Sequence, residues 1–166
     1  MSATEIPLRP PDSVAFAPFG HLIVPPDEVG KRRFYSEILQ TRPEGSAPML
    51  HMNHVLPSTL PIKVIGIERH PHAAQCFFPA DVSRYAVLVF PSDDDGDPIL
   101  GRGLAFLMPG TIGVSFNQGV WHLGATVLDR PGHFTVLMWR GGPQQDDHFR
   151  TIPPLTLVAP DTSAPS

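Results

Sequence analysis

The sequence has few of the residues that build long helices. Only two Lys and five Glu occur among 166 residues, and charged residues make up 17% of the chain. Against these stand 21 Pro and 14 Gly, both of which disfavour helix interiors. This composition excludes helix bundles and coiled coils, and it leaves too few proline-free windows for the helical crossovers of a parallel α/β sheet. We therefore predict an all-β fold.

Cysteine, positive charge and long apolar runs are also scarce. Cys76 is the single cysteine and cannot form an internal disulfide, which is typical of proteins from a reducing cytoplasm. The net charge of −4 offers no basic surface to nucleic acid. The longest apolar run, residues 85–91, is far shorter than the ~20 residues that span a bilayer. The first residues lack the features of a secretory signal, so we expect a cytoplasmic protein with neither nucleic-acid nor membrane partners.

Short apolar segments separated by turn residues dominate the chain from residue 49 onward, a pattern typical of strands. The predicted strands are 21–24, 49–56, 62–70, 74–78, 84–90, 103–108, 111–116, 121–128 and 134–140. A helical turn is predicted at 13–16 and a helix or loop at 27–40, while the stretch to residue 11 is expected to be loosely held. We expect one jelly-roll or small-barrel domain over residues 1–155. The stretch after Pro153 is predicted to be a disordered or docked tail, with 156–166 outside the domain.

Two polar segments could carry chemistry. In the first, side-chain alternation along an extended chain places Glu68 and His70 on one face and Arg69 on the other. A carboxylate and an imidazole that project together into a barrel form half of a metal site or an acid–base pair. A solvated edge strand is the alternative interpretation. In the second segment, Gly119 makes a tight turn and His122 opens the strand that follows it.

The two segments resemble the paired motifs of the cupin superfamily. The first resembles H-x-H-x(3,4)-E, with Glu68, His70 and Gln75 at the three ligand positions. The second resembles P-x-G-x-x-H, with Asn117 and His122 at its two ends.

The wider chain, from about residue 8 to 155, is similar to the bacterial ureidoglycolate lyase family. The similar segments are 15–20, 67–71, Gln75, 78–79, 119–122 and 140–142. The resemblance implies a cupin-type jelly-roll β-barrel with a few short helices, commonly a homodimer. It implies a lyase that eliminates urea from ureidoglycolate to give glyoxylate in allantoin catabolism. It also implies a divalent metal, nickel in some descriptions, which a purified sample can lack.

The resemblance assigns roles to particular residues. We expect Glu68, His70 and His122 to be catalytic, with Glu68 or His122 as the base. The same three side chains, together with Gln75, are the expected ligands if a metal is bound.

Two positions depart from the family pattern. Leu123 and Gly124 stand where the family tends to have His-Pro, and His54 stands where relatives carry Arg. A missing Arg could mean a lost carboxylate clamp or a different substrate. Arg69, Arg84 or Arg140 could substitute for it in binding substrate, and Asn53 is a further residue expected to bind substrate.

Three alternatives therefore stay open beside the lyase. They are a metal-dependent cupin enzyme of other chemistry, such as a dioxygenase or sugar isomerase; a non-catalytic cupin that binds a small carboxylate; and a structural barrel without a site.

Overall fold

A computed structural model describes residues 4–39 and 42–160, and strands make up most of its regular structure. One short helix, α1 (Ser13–Phe16), begins at Asp12, whose carboxylate accepts hydrogen bonds from the first turn. The strands are β1 (Thr4–Arg9), β2 (Gly20–Ile23), β3 (Ala47–Val55), β4 (Ile62–Arg69), β5 (Gln75–Pro79), β6 (Arg84–Phe90), β7 (Leu104–Pro109), β8 (Gly113–Phe116), β9 (Trp121–His122), β10 (Thr126–Leu128), β11 (Gly132–Arg140) and β12 (His148–Val158).

The strands form two sheets. Sheet A has the order β10-β6-β7-β1-β12-β4-β9, and β9 also pairs with β6, so six of its strands close into a ring. Sheet B has the order β2-β8-β5-β11-β3 and covers the β10-β6-β7 side of sheet A. The prediction of an all-β barrel with a few short helices is confirmed.

Strand β6 belongs to both hydrophobic cores of the molecule. Tyr85 and Val87 point into the inter-sheet core, the apolar cluster between sheets A and B. Leu88 and Phe90 point into the ring core, the apolar cluster inside the closed ring of sheet A. A strand with both faces buried needs apolar residues at every position, which explains the unbroken apolar run in this segment.

The structure orders both ends of the described chain, and the prediction of a loosely held start was wrong. The stretch to residue 11 contains β1, which pairs in parallel with β12 and β7, and Leu8 is buried in the ring core. Strand β12 continues to Val158, past the expected domain end, and Leu157 is also buried in that core. The pairing of β12 with β4 shifts register between Thr151 and Leu155, so the prolines of this segment lie at an irregularity, where strands tolerate them. Residues 161–166 lie outside the described part of the chain.

Two internal segments differ from or refine the prediction. The single strand predicted over 121–128 is two strands, β9 and β10, separated by residues 123–125. Residues 27–40, expected to be helix or loop, are a loop with one 3₁₀ turn at Ser36–Leu39, as far as they are described. Within the described residues no helix is long and apolar enough to cross a membrane.

The turn that precedes β9 joins the two polar segments. Gly119 has a φ of 78°, a conformation that favours glycine, and its N–H donates to the His70 carbonyl at 2.7 Å. Strand β9 then pairs with β4 so that His122 lies opposite Glu68. His122 is also opposite Val89 of β6. These pairings place His122 at the seam where sheet A closes.

Candidate active site

Glu68, His70 and His122 meet at this seam. One ligand atom from each side chain lies within 4.8 Å of the other two. His70 and His122 are 5% and 1% exposed, whereas the Glu68 side chain keeps 20% of its surface accessible. Both imidazoles are therefore shielded from water, and the carboxylate is the member of the cluster that solvent reaches.

His122 directs a lone pair towards two oxygen atoms. Its Nδ1 lies 2.9 Å from the Val120 carbonyl oxygen, which can only accept, so Nδ1 carries the ring proton. Its Nε2 lies 3.1 Å from Gln75 Oε1 and 3.5 Å from Glu68 Oε1. The ring stacks on Phe116 at 4.1 Å between centroids. Three acceptor atoms thus face one another without a proton to share, the arrangement that a bound cation or an added proton would stabilise.

His70 presents a second lone pair to the same space. Its Nδ1 lies 2.9 Å from the Asp146 carbonyl oxygen and 3.2 Å from Asp147 Oδ1, so Nδ1 donates. Its Nε2 is buried and has no hydrogen-bond partner among the described residues. Burial, together with the neighbouring His122, lowers the pKa of His70 below its ordinary value, which favours the neutral ring.

The Glu68 carboxyl is ionised in this surrounding. Burial by itself would raise its pKa. A hydrogen bond from His122 and the charges that His122 and His70 carry when they are protonated outweigh burial, so the pKa lies below the ordinary value. Glu68, His70 and His122 each bring one ligand atom to the cluster, and the Gln75 amide oxygen lies 3.1 Å from His122 Nε2. This donor set fits a divalent metal ion, since an unpartnered buried Nε2 and a group of acceptors without a donor both suit a cation.

A groove of about 250 Å³ opens beside Glu68. Its lining includes Gly66, Phe149 and Thr151, which belong to β4 and β12, and Gly124 from the segment after β9. A Cβ added to Gly124 would lie 3.6 Å from Glu68 Oε1, so this glycine keeps the approach to the carboxylate open. One of the two departures from the family pattern thus lies at the mouth of the site.

The other departure lies elsewhere. His54 is exposed on β3 and stacks on His133 of β11 at 4.2 Å between ring centroids. No contact described for His54 reaches the Glu68, His70 and His122 cluster.

Among the residues predicted to bind substrate, Arg140 is the one that the structure connects to the cluster. Its Nη1 lies 2.8 Å from Asp147 Oδ1, the atom that also faces His70. Arg69 points to the opposite face of β4, where it donates to the Gly96 carbonyl at 2.7 Å and packs over the Trp121 ring at 4.6 Å.

The structure separates Arg84 and Asn53 from the cluster. Arg84 pairs with Asp129 through two hydrogen bonds of 2.7 Å at the start of β6. Along β6, Arg84 is five residues, or about 16 Å, from Val89, the residue that lies opposite His122. Gln75, which contacts His122, lies in one row of sheet B with Met138 and Met49. Asn53 of β3 lies opposite Phe134, four residues along the strands from that row.

Sequence reasoning missed Asp146 and Asp147. The Asp146 carboxylate accepts a 2.7 Å hydrogen bond from the His72 N–H, while its carbonyl and the Asp147 carboxylate both face His70. An acidic pair in the loop between two strands has no sequence signal that distinguishes it from a solvated turn. The contacts of this pair with His70 and His72 arise only because the folded chain packs the loop against the end of β4.

The fold and the site define an all-β barrel protein with a carboxylate, two imidazoles and an amide at the seam of its barrel. Comparison with known sequences gives the family. The family model for ureidoglycolate lyase matches residues 3–156, and the chain belongs to this family.

Curated relatives agree with this assignment. A ureidoglycolate lyase of Burkholderia cepacia is 35% identical over 78% of this chain and 76% of the relative. Ureidoglycolate lyase 2 of Rhizobium meliloti is 31% identical over 87% of this chain and 92% of the relative. Among solved structures, RmlC from Streptococcus suis in complex with dTDP-D-xylose matches with a TM-score of 0.42 and 13% identity. That match covers 57% of this chain and 44% of RmlC.

Proposed function

We propose that this protein is a ureidoglycolate lyase, which eliminates urea from ureidoglycolate and leaves glyoxylate, a step of allantoin catabolism. Membership of the family gives the reaction. The observation that carries the proposal for this chain is that Glu68, His70 and His122 lie in one cluster beside an open groove.

The reaction moves one proton between two atoms of the substrate. Ureidoglycolate carries a hydroxyl group and a urea nitrogen on the same carbon. The hydroxyl loses its proton, its oxygen forms the aldehyde C=O bond, the C–N bond breaks, and the departing nitrogen gains a proton. Since the oxygen and the nitrogen are bonded to one carbon, a single carboxyl group can take the proton from one and return it to the other.

Glu68 is the group best placed for this transfer. Its carboxylate is ionised and is the exposed member of the cluster, so it can take the hydroxyl proton. His122 directs Nε2 at the same carboxylate and can share the proton, because its own proton is held on Nδ1 by the Val120 carbonyl. His70 contributes a neutral Nε2 to the same space.

The proposed metal ligands are Glu68, His70, Gln75 and His122. Nickel is the metal implied by the family resemblance, and a divalent ion there supplies Lewis-acid chemistry by lowering the pKa of the substrate hydroxyl. Gln75 is held in position because its amide nitrogen contacts the Met138 sulfur at 3.9 Å, which leaves its oxygen directed at His122.

We also propose a cytoplasmic homodimer that associates through sheet B. Strand β3 is an edge strand that pairs only with β11 among the described strands. On the face opposite the inter-sheet core it exposes Leu50 and Met52, at 68% and 60% of their full surface. An unpaired edge next to exposed apolar side chains is a surface that proteins commonly cover by association.

The proposed function is tested by measuring urea release from racemic ureidoglycolate, with and without a chelator. We predict that His122→Ala lowers the rate by about 10²–10⁴-fold, because it removes a positioned proton-transfer group. His21→Ala is the matched control, since His21 is exposed on β2 and outside the cluster, and it should retain the wild-type rate. A wild-type rate in His122→Ala would refute the role of His122.

The same samples distinguish the alternative functions. Oxygen uptake with bound iron or manganese would indicate a cupin oxygenase in place of the lyase. Thermal stabilisation by glyoxylate without urea release would indicate a non-catalytic carboxylate-binding protein. Loss of activity on chelation, restored by nickel, would support the metal-dependent form of the lyase.

A further inference from the structure

The loop between β11 and β12 supports His70 from the side opposite the cluster. Nδ1 of His70 is 2.9 Å from the Asp146 carbonyl oxygen and 3.2 Å from the Asp147 carboxylate. Nothing in the lyase proposal assigns a task to Asp147. Its carboxylate contacts Nδ1, whereas Nε2 is the other nitrogen of the His70 ring.

We propose that Asp147 is a positioning residue. Its carboxylate, with the Asp146 carbonyl, holds the ring proton of His70 on Nδ1 and makes Nε2 a stronger electron-pair donor. Nε2 is then the free lone pair in the site. The role assigned to His70 rests on the proposed function, but the placement of its proton does not. A carboxylate that accepts from one ring nitrogen makes the other nitrogen more basic, and loss of such a partner typically weakens metal affinity or activity by about 10–100-fold.

Arg140 holds Asp147 in place for this task. Its Nη1 contacts Asp147 Oδ1 at 2.8 Å, the same oxygen that faces His70. A guanidinium carries only hydrogen-bond donors and cannot accept the His70 proton, so this contact fixes the direction in which the carboxylate faces His70. This contact gives Arg140 a task through Asp147, in contrast to the substrate contact that the sequence predicted for it.

The loop is anchored on both sides of His70. The His72 N–H donates to Asp146 Oδ1 at 2.7 Å, while Arg140 fixes Asp147. Asp147→Asn keeps the shape of the side chain, and the contact between His72 and Asp146 does not involve Asp147, so the Asp146 carbonyl should stay where it is. That variant therefore removes the negative charge that faces His70 Nδ1, with little change in packing.

The deciding experiment compares imidazole ¹⁵N NMR spectra of the full metal-free chain in wild type and Asp147→Asn. The wild type should show His70 with the proton on Nδ1 and an unprotonated Nε2. In Asp147→Asn the His70 nitrogen shifts should move, because the acceptor at Nδ1 has lost its charge. Asp81→Asn is the matched control: Asp81 pairs with His133 Nδ1 at 2.9 Å on the exposed surface, so this variant should shift His133 and leave His70 unchanged.

A His70 spectrum that is identical in wild type and Asp147→Asn would overturn the proposal, as would a wild-type ring that carries its proton on Nε2. The second measurement is Ni²⁺ affinity, which should fall by about 10–100-fold in Asp147→Asn and stay at the wild-type value in Asp81→Asn. If the wild type releases no urea and binds no Ni²⁺, the proposed function fails, and the NMR comparison still decides the role of Asp147.

Discussion

At the scale of single residues, backbone carbonyl groups decide where the imidazole protons lie. Val120 accepts from His122 Nδ1, and Asp146 accepts from His70 Nδ1, at 2.9 Å in both cases. Both Nε2 atoms are then free of protons, and that of His122 lies 3.5 Å from Glu68 Oε1. Carbonyl oxygens cannot donate, so this arrangement persists as long as the two loops that carry them stay in place.

The lowered pKa values predict how the metal-free protein responds to acid. His70 and Glu68 both have pKa values below their ordinary values of 6.5 and 4.5, so the unfolded chain binds protons more readily than the folded one. The free energy of unfolding should fall as the pH drops below about 6.5, where unfolded His70 gains a proton, and fall further below about 4.5.

Urea denaturation at a series of pH values, with chelator present, measures this dependence. His70→Asn removes the first titrating group, so its stability should change less between pH 6.5 and 5 than that of the wild type. Equal slopes in the two proteins over that interval would contradict the prediction.

At the scale of secondary-structure elements, β1 and β12 hold the ring of sheet A together. They pair with each other in parallel and connect β7 to β4. Leu8 and Leu157 bring their side chains into the ring core, so the two ends of the described chain are part of the domain that carries the site.

A substitution in β12 tests this contribution. Leu157 is fully buried, and Leu157→Ala should lower the free energy of unfolding by about 2–5 kcal/mol through lost apolar burial and the cavity left behind. Ile65→Ala on β4 is the control, because Ile65 is 56% exposed and its truncation should cost much less. Chemical denaturation measures both. Equal losses in the two variants would show that β12 is not packed in this way.

At the scale of the whole molecule, the two faces of sheet B differ. One face packs against sheet A through Phe77, Phe134 and Val136. On the other, Leu50 and Met52 of the edge strand β3 are exposed. A second copy of the chain that covered this surface would protect the unpaired edge of β3 and would leave the groove beside Glu68 open, because the groove is formed by β4 and β12.

The dimer proposal predicts a change of oligomeric state. Leu50→Glu combined with Met52→Glu should convert the dimer to a monomer, since charged side chains would be buried at the interface. Val29→Glu is the control, because Val29 is even more exposed than Leu50 and Met52 but lies in the loop after β2. Sedimentation equilibrium distinguishes the states. A wild-type monomer, or a dimer that both variants retain, would refute association through this surface.

The sequence by itself determined the fold class and the side-by-side placement of Glu68 and His70. Proline and glycine content excluded long helices, and alternation correctly placed Glu68 and His70 together and Arg69 on the other face. These inferences succeeded because they depend on local geometry, the period of an extended chain and the φ restrictions of proline.

Only the tertiary structure decided what surrounds those residues. Strands β1 and β12 contain prolines that suggest loose chain, yet each strand is held by partners far away in sequence. Asp147 faces His70 because a loop packs against the end of β4, and Arg84 is distant because it begins β6 while His122 is beside its end. Such contacts join residues that are far apart in the chain, and no local pattern encodes which of several charged side chains the folded sheets bring together.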